Sequence, residues 1–197
     1  MKYTIGIDEV GRGPIAGPVA VGAFVFKDIK AKKIFRGVKE SKQLSEAKRE
    51  MWFEKIVESK KRGEVDFCVN FQSERIIDSK GLSWAIRSAL TKSLAGLGLL
   101  TGETKVLLDG GLRAPSEYLD QKTIIKGDEK EVVIALASIC AKVLRDRRMI
   151  KLGKKYPEYG FEVHKGYGTK KHYEAIREYG LLEEHRRSFL KGVLRGK

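Results

Sequence analysis

The chain has 197 residues, with 42% hydrophobic and 34% charged, which is the balance of a globular domain with one sizeable core. Its 40 Lys and Arg against 26 Asp and Glu leave a formal charge of +14, so a polyanionic partner is the first expectation. No apolar run approaches the roughly 18 residues of a spanning helix. The N-terminus enters a strand-like pattern with no signal-peptide design, so the expected location is the cytoplasm and no membrane is expected as a partner.

Residues 2–9 alternate, with Tyr3, Ile5 and Ile7 on one face and Thr4, Gly6 and Asp8 on the other, which predicts a strand. It ends in two adjacent acids, Asp8 and Glu9, and runs into the turn Gly11-Arg12-Gly13-Pro14. In a regular strand these two acids face opposite sides, so a shared site requires the strand to end or bend there, which Gly11 and Gly13 permit. Residues 18–27 predict a second strand, and the Gly-Pro-rich turn between the two makes a hairpin. Ser45 opens a helix over 46–61 with Trp52, Phe53, Ile56 and Val57 as its apolar stripe. A strand over 64–71 places Val65, Phe67, Val69 and Phe71 on one face, and 73–96 reads as helix broken near Gly81.

A short strand over 105–108 ends at Asp109-Gly110, and another covers 122–125. An ordinary Asp-Gly turn would account for Asp109 by itself. Asp128, with Glu131 three residues later, fits the N-cap of a capping box, a role compatible with ion binding through the other oxygen. The helix predicted over 130–148 is apolar almost all round at first, which buries it; Ala135, Ala137, Ser138 and Ala141 allow close approach. Its second half turns basic, with Lys142, Arg145, Arg147 and Arg148. From about 155 the composition shifts to Tyr, Gly, His and Lys, so a core over 1–154 and a C-terminal helical extension over 155–197 packed on it are expected. The leading hairpin and the loose interleaving of strands and helices predict an α/β fold with a mixed sheet flanked by helices.

Three carboxylates at strand ends and one at a helix start, in a basic chain, predict a site for a hard cation acting on a phosphate. Mg²⁺ binds through a few carboxylates plus substrate phosphates, and two ions can serve both the attacking and leaving oxygens. Cys68 and Cys140 make no metal-binding pair and read as packing residues, and only His164, His172 and His185 are present, so zinc is disfavoured. One Asn (Asn70) among abundant Lys and Glu hints at a heat-adapted source.

The segment Asp8-Glu9-Val10-Gly11-Arg12-Gly13-Pro14 with Ala16-Gly17-Pro18-Val19 resembles the opening motif of ribonuclease H type 2 (ribonuclease HII). Matches continue in order through Ser41-Lys42-Gln43-Leu44-Ser45, Leu108-Asp109-Gly110 and Lys126-Gly127-Asp128. They extend through Ala137-Ser138-Ile139-Cys140-Ala141-Lys142, Arg145-Asp146-Arg147, Lys165-Gly166-Tyr167-Gly168-Thr169 and His185-Arg186-Arg187-Ser188-Phe189. Glu40 and Leu136 depart from the pattern. The resemblance implies a ribonuclease H-like fold with a mixed five-stranded sheet. It implies cutting, dependent on Mg²⁺ or Mn²⁺, of the RNA strand of RNA–DNA hybrids and on the 5′ side of single ribonucleotides in duplex DNA, leaving 5′-phosphate and 3′-hydroxyl ends. By motif, Asp8, Glu9, Asp109 and Asp128 are the metal-binding catalytic acids. Gly11, Arg12 and Gly13 read the ribose 2′-hydroxyl, Tyr167 stacks on the following deoxyribose, and Lys42, Ser138 and Lys142 contact phosphates. A monomer is expected, with a replication-factor partner left open: Phe189, Leu190, Val193 and Leu194 read as core packing or as a docking motif.

Two other readings compete. A non-catalytic RNA-binding protein explains the charge but not the acids at element ends. A type 1 ribonuclease H or a resolvase explains the acids but not the Gly-Arg-Gly turn or the Lys-Gly-Tyr-Gly-Thr segment. For any one of Arg186 and Arg187 the residues themselves favour a solvated helix face.

Overall fold

A computed structural model of the chain describes residues 2–38 and 44–194. Strands β1 (Tyr3–Val10), β2 (Val19–Phe26), β3 (Val65–Gln72), β4 (Thr104–Asp109) and β5 (Gln121–Ile124) form one mixed sheet in the order β3-β2-β1-β4-β5. The hairpin β1–β2 is antiparallel, as is β2–β3, whereas β1–β4 and β4–β5 are parallel. The parallel β1–β4 pair places the C-terminal ends of both strands at the same end of the sheet. The pairing of β1 with β4 stops at Ile7 and Leu108, so Asp8 and Asp109 lie where the two strands part.

Helix α1 (Glu46–Lys61) starts as predicted, with the Ser45 hydroxyl accepting from the Lys48 N–H. Helices α2 (Glu74–Lys80) and α3 (Leu82–Ala95) are separated at Gly81, whose φ of +85° a side chain would resist. One sheet face carries Ile5, Ile7, Val21, Val106 and Leu108 against Ala85, Ala89 and Leu90 of α3. The other carries Phe24, Phe26, Val65 and Leu107 against Trp52 and Phe53 of α1 and the apolar half of α5 (Val132–Lys155). Leu136 is fully buried there, and so is Cys140, whose thiol is pushed up by burial; both cysteines are free.

The predicted capping box is not formed. Asp128 lies inside a single helical turn, α4 (Gly127–Lys130), and Glu131 caps the backbone of α5 without a side-chain bond. A four-residue turn precedes the long helix because Lys126 takes a left-handed conformation and turns the chain back toward β4. A third cluster joins Ile15, Ala16 and Met149 to Tyr159 and Phe161, which flank and begin the one-turn α6 (Phe161–His164), and to Ala175 and Ile176 of α7 (Lys170–Tyr179). Leu190, just before α8 (Lys191–Leu194), is buried in the same cluster, which makes it core; the Val193 and Leu194 side chains lie outside the description. Among the described residues no helix is long and apolar enough to cross a membrane.

Close passage of α5 over the sheet depends on two glycines. A Cβ on Gly6 would stand 2.2 Å from the Val133 carbonyl carbon, and one on Gly22 would stand 2.5 Å from the Ala137 oxygen. Both obstacles are backbone, so the helix itself would have to move. Gly6→Ala is expected to destabilise the fold by about 3 kcal/mol, whereas Gly102→Ala, with no heavy atom within 4 Å, should shift it by less than about 0.5 kcal/mol. Urea-denaturation midpoints check this; equal midpoints for the two variants would show that α5 does not ride on the sheet at Gly6.

Candidate active site

β1 delivers Asp8, β4 delivers Asp109 and α4 delivers Asp128. One carboxylate oxygen from each lies within 4.8 Å of the others, so three of the four predicted acids converge. Asp8 and Asp128 are buried, 6% and 4% exposed, and Asp109 is half-buried. The Gly127 N–H donates to Asp109 Oδ1 at 2.6 Å, which ties the α4 turn to the end of β4. Asp8 Oδ1 accepts the Glu9 N–H at 2.8 Å, and the Ser138 hydroxyl of α5 also bonds the Asp8 carboxylate.

Glu9 stands apart. β1 runs on through Glu9 to Val10, paired with Ala20, so Glu9 is not in the three-acid cluster, but it lies near enough for its charge to bear on Asp8 and for that of Asp109 to bear on it. Its Oε1 accepts from Arg12 Nη1 at 3.0 Å, while its buried Oε2 accepts no hydrogen bond among the described residues. Burial is the main reason that Asp8 is pushed up to about 8, with Ser138 opposing and the charges of Glu9 and Asp109 adding. Burial also raises Glu9, with Arg12 opposing and Asp109 adding. Oxygen-only donors, crowded and desolvated, suit a hard divalent cation: its charge would offset their mutual repulsion, and Glu9 Oε2 has an open acceptor position.

The Gly-Arg-Gly turn is clamped from behind. Gly11 has φ +90°, and a Cβ there would meet Arg145 Nε at 2.3 Å and the Pro18 oxygen at 2.9 Å. Arg186 donates to the Gly11 oxygen at 2.7 Å, the Arg12 oxygen at 3.1 Å and the Gly17 oxygen at 2.8 Å. Arg145 donates to the oxygens of Pro18 at 2.9 Å, Lys165 at 3.0 Å and Ala16 at 3.4 Å. Both arginines have no exposed surface, which corrects the expectation of a solvated helix face for Arg186. Burial lowers both, Arg186 to about 10 with Arg145 adding, and each charge is solvated by backbone carbonyls.

Tyr167 is 45% exposed, and its ring edge lies 3.7 Å from where a Gly13 Cβ would stand, so turn and ring share one surface. Ser138 is directed at Asp8 rather than at open surface, and Lys142 Nζ pairs with Asp146 at 2.8 Å. Lys42 lies outside the described residues. Two arginines were not singled out by sequence. Arg87 of α3 and Arg113 line a cleft of about 300 Å³ with Arg12, Gly111 and Leu112, on the Glu9 side of the acids. No periodicity marks them, because exposed basic residues are common throughout the chain. A larger cavity of about 590 Å³, lined by Lys2, Lys27, Lys32, Lys105 and Lys122, lies at the opposite end of the sheet and contains none of the acids.

Comparison with known proteins agrees with this geometry. A model of the Ribonuclease HII family matches residues 5–192. The chain is 43% identical over 199 residues to ribonuclease HII of Bacillus cytotoxicus, covering all of this chain and 73% of that one. The crystal structure of ribonuclease H2 from Pyrococcus horikoshii OT3 superposes with a TM-score of 0.76 at 26% identity, over 99% of this chain and all of that one. RNase HII of Archaeoglobus fulgidus, solved in complex with PCNA, gives a TM-score of 0.73 at 26% identity over 93% of each chain.

Carboxylate crowding makes a stability prediction. Asp109→Asn keeps an oxygen for the Gly127 N–H while removing a charge that bears on Asp8 and Glu9. In EDTA the variant should melt about 2–4 °C above wild type, for about 1 kcal/mol of relieved repulsion. In millimolar Mn²⁺ the order should reverse. Differential scanning fluorimetry decides it; a variant that melts lower in EDTA would show that the acids are not in conflict.

Proposed function

The chain belongs to the ribonuclease HII family, and from that premise we propose that its four acids are the catalytic centre of a divalent-metal-dependent endonuclease. As a family member it is a hydrolase acting on RNA in RNA–DNA hybrids. The finer reading is that it also cuts on the 5′ side of a single ribonucleotide in duplex DNA, leaving 5′-phosphate and 3′-hydroxyl ends. The observation that carries it is the meeting of Asp8, Asp109 and Asp128 within 4.8 Å beside a clamped Gly-Arg-Gly turn.

Asp8, Asp109 and Asp128, with Glu9, would hold Mg²⁺ or Mn²⁺, which supplies an activated water at neutral pH and neutralises charge at the scissile phosphate, with two ions sharing these tasks. The protein residues then have separate tasks. Ser138 and the Glu9 N–H orient Asp8. Arg12 holds one oxygen of Glu9 and leaves the other open. Backbone groups of the glycine turn can approach a ribose closely, and the 2′-hydroxyl is the one group that distinguishes ribose from deoxyribose. A site that hydrogen-bonds it leaves polar groups unpaired when it is missing, so DNA is strongly rejected. The exposed ring of Tyr167 beside Gly13 suits stacking on the adjoining deoxyribose. Lys142 belongs to the same phosphate-contacting set. The division into a catalytic core, 1–154, and an extension, 155–197, that supplies Tyr167 is part of this proposal.

Asp8→Asn should lose hybrid cleavage in Mg²⁺ by at least about a thousandfold while binding hybrid as tightly as wild type, because association rests on phosphate contacts. Gel-based cleavage with and without EDTA, alongside fluorescence anisotropy, measures both; wild-type cutting by Asp8→Asn or in EDTA rules the mechanism out. On a duplex with one ribonucleotide, Tyr167→Ala should lose about tenfold relative to a long hybrid, and Tyr167→Phe should keep the wild-type ratio. A wild-type ratio for Tyr167→Ala would remove the junction-reading role.

A further inference from the structure

All three histidines of the chain meet in one group behind Tyr167, with His164 half-buried at its edge. His164 stacks on His172 with ring centres 4.3 Å apart, and His172 and His185 meet Nε2 to Nε2 at 3.1 Å. Phe161 and Tyr159 close the group on the core side. His172 and His185 have almost no exposed surface. None of them belongs to the acid cluster, and the proposed mechanism gives them no chemical step.

The hydrogen bonds admit one placement of protons. The Leu182 N–H donates to His185 Nδ1 at 2.9 Å, so that nitrogen carries no proton and a neutral His185 is protonated at Nε2. Nε2–H of His185 then donates to His172 Nε2, which leaves the His172 proton on Nδ1. That proton is donated to the Tyr167 carbonyl at 2.8 Å. His164 is fixed likewise: Nδ1 accepts the Gly166 N–H at 3.1 Å, and Nε2–H donates to the Tyr159 carbonyl at 2.7 Å. A second proton on His172 or His185 would set donor against donor. Burial pushes both down to about 4, so the rings are neutral at pH 7.

The chain of bonds ends at the carbonyl of Tyr167 itself. Tyr167 lies between Gly166, at φ +88° with its carbonyl accepting from the Ile15 and Ala16 N–H groups, and Gly168, which packs closely on Tyr173. Its N–H is held by the His164 carbonyl at 2.9 Å, and its carbonyl accepts from the Thr169 N–H at 2.9 Å and from His172. His172 is itself anchored in the first turn of α7, where its N–H meets the Thr169 hydroxyl.

We propose that His172 and His185 are positioning residues: the bonds running from Leu182 through both rings to the Tyr167 carbonyl set the angle of the Tyr167 ring, and with it the preference for a ribonucleotide–deoxyribonucleotide junction. The proposal rests on the reading of Tyr167 given above. It explains why two imidazoles are buried in place of apolar residues. A neutral imidazole can accept at one nitrogen and donate at the other, which is what a relay between two backbone groups requires.

The test uses the full-length enzyme and the ratio of cleavage rates on a duplex with one ribonucleotide and on a long hybrid. In His172→Asn the amide nitrogen takes the place of Nδ1 and keeps the bond to Tyr167. In His172→Gln the amide reaches the Nε2 position and leaves the Tyr167 carbonyl without that donor. The ratio should fall about tenfold in His172→Gln, close to that of Tyr167→Ala, and by clearly less in His172→Asn, which keeps the bond to Tyr167 and loses only the one from His185. If Tyr167→Ala lowers the ratio but His172→Gln does not, or if Asn and Gln lower both rates alike, the positioning role is wrong and the reading of Tyr167 stands. If Tyr167→Ala leaves the ratio unchanged, the reading of Tyr167 fails and the proposal with it. The wild-type protein gives a check that no folding defect can obscure. Imidazole ¹⁵N chemical shifts at pH 7 should show His172 protonated at Nδ1 and His185 at Nε2; either opposite tautomer, or a charged ring, overturns the proposal.

Discussion

Carboxylates packed within a few ångströms of one another, two of them buried, repel, and much of this fold serves to hold them there. Asp8 is desolvated by the helix that crosses β1, and Asp109 is drawn to the Gly127 N–H of the turn that carries Asp128. The sheet order places β1 beside β4 in parallel, so their C-terminal ends supply two acids to one point. Such crowding of desolvated oxygen donors is what the charge of a hard divalent ion would offset. The local charge is thus opposite to that of the whole chain, whose excess of +14 favours a polyanionic partner.

The turn beside the acids is supported by an opposite arrangement, cations held by backbone. Between them Arg145 and Arg186 bind six carbonyls, five of them within the segment 11–18 and one from Lys165. A buried guanidinium without partners would be very costly; with its donors distributed over carbonyls it becomes a rigid template for a loop with little regular structure. The Gly-Arg-Gly loop is therefore held by residues distant in the chain. The isolated pairing of Ala16 with His185 and the bond from the Arg186 N–H to the Ile15 carbonyl reinforce that connection. The histidine group performs a related task for Tyr167, using neutral rings where the turn uses charge.

The strands and their faces were legible because alternation records burial directly: Tyr3, Ile5 and Ile7 pack on one side while Gly6 and Asp8 face α5. The break at Gly81 and the buried first half of α5 followed from local chemistry as well. The acids could be found as exceptions to a basic composition, and three of them meet. What sequence did not disclose was non-local. Arg186 has the local pattern of a surface residue, and only carbonyls from the opposite end of the chain make its burial tolerable. Asp128 has the spacing of a cap, but left-handed Lys126 turns the chain so that α4 closes early and Asp128 aims at β4. Three histidines at 164, 172 and 185 show no motif spacing, because the loop and the helix between them decide that they meet.

The central claim is that the acids form one divalent-cation site, and Mn²⁺ binding followed by electron paramagnetic resonance tests it most directly. Wild-type protein should show saturable binding that Mg²⁺ displaces, and Asp109→Asn and Asp128→Asn should each lose it while remaining folded. Equal Mn²⁺ affinity in wild type and both variants would contradict the account.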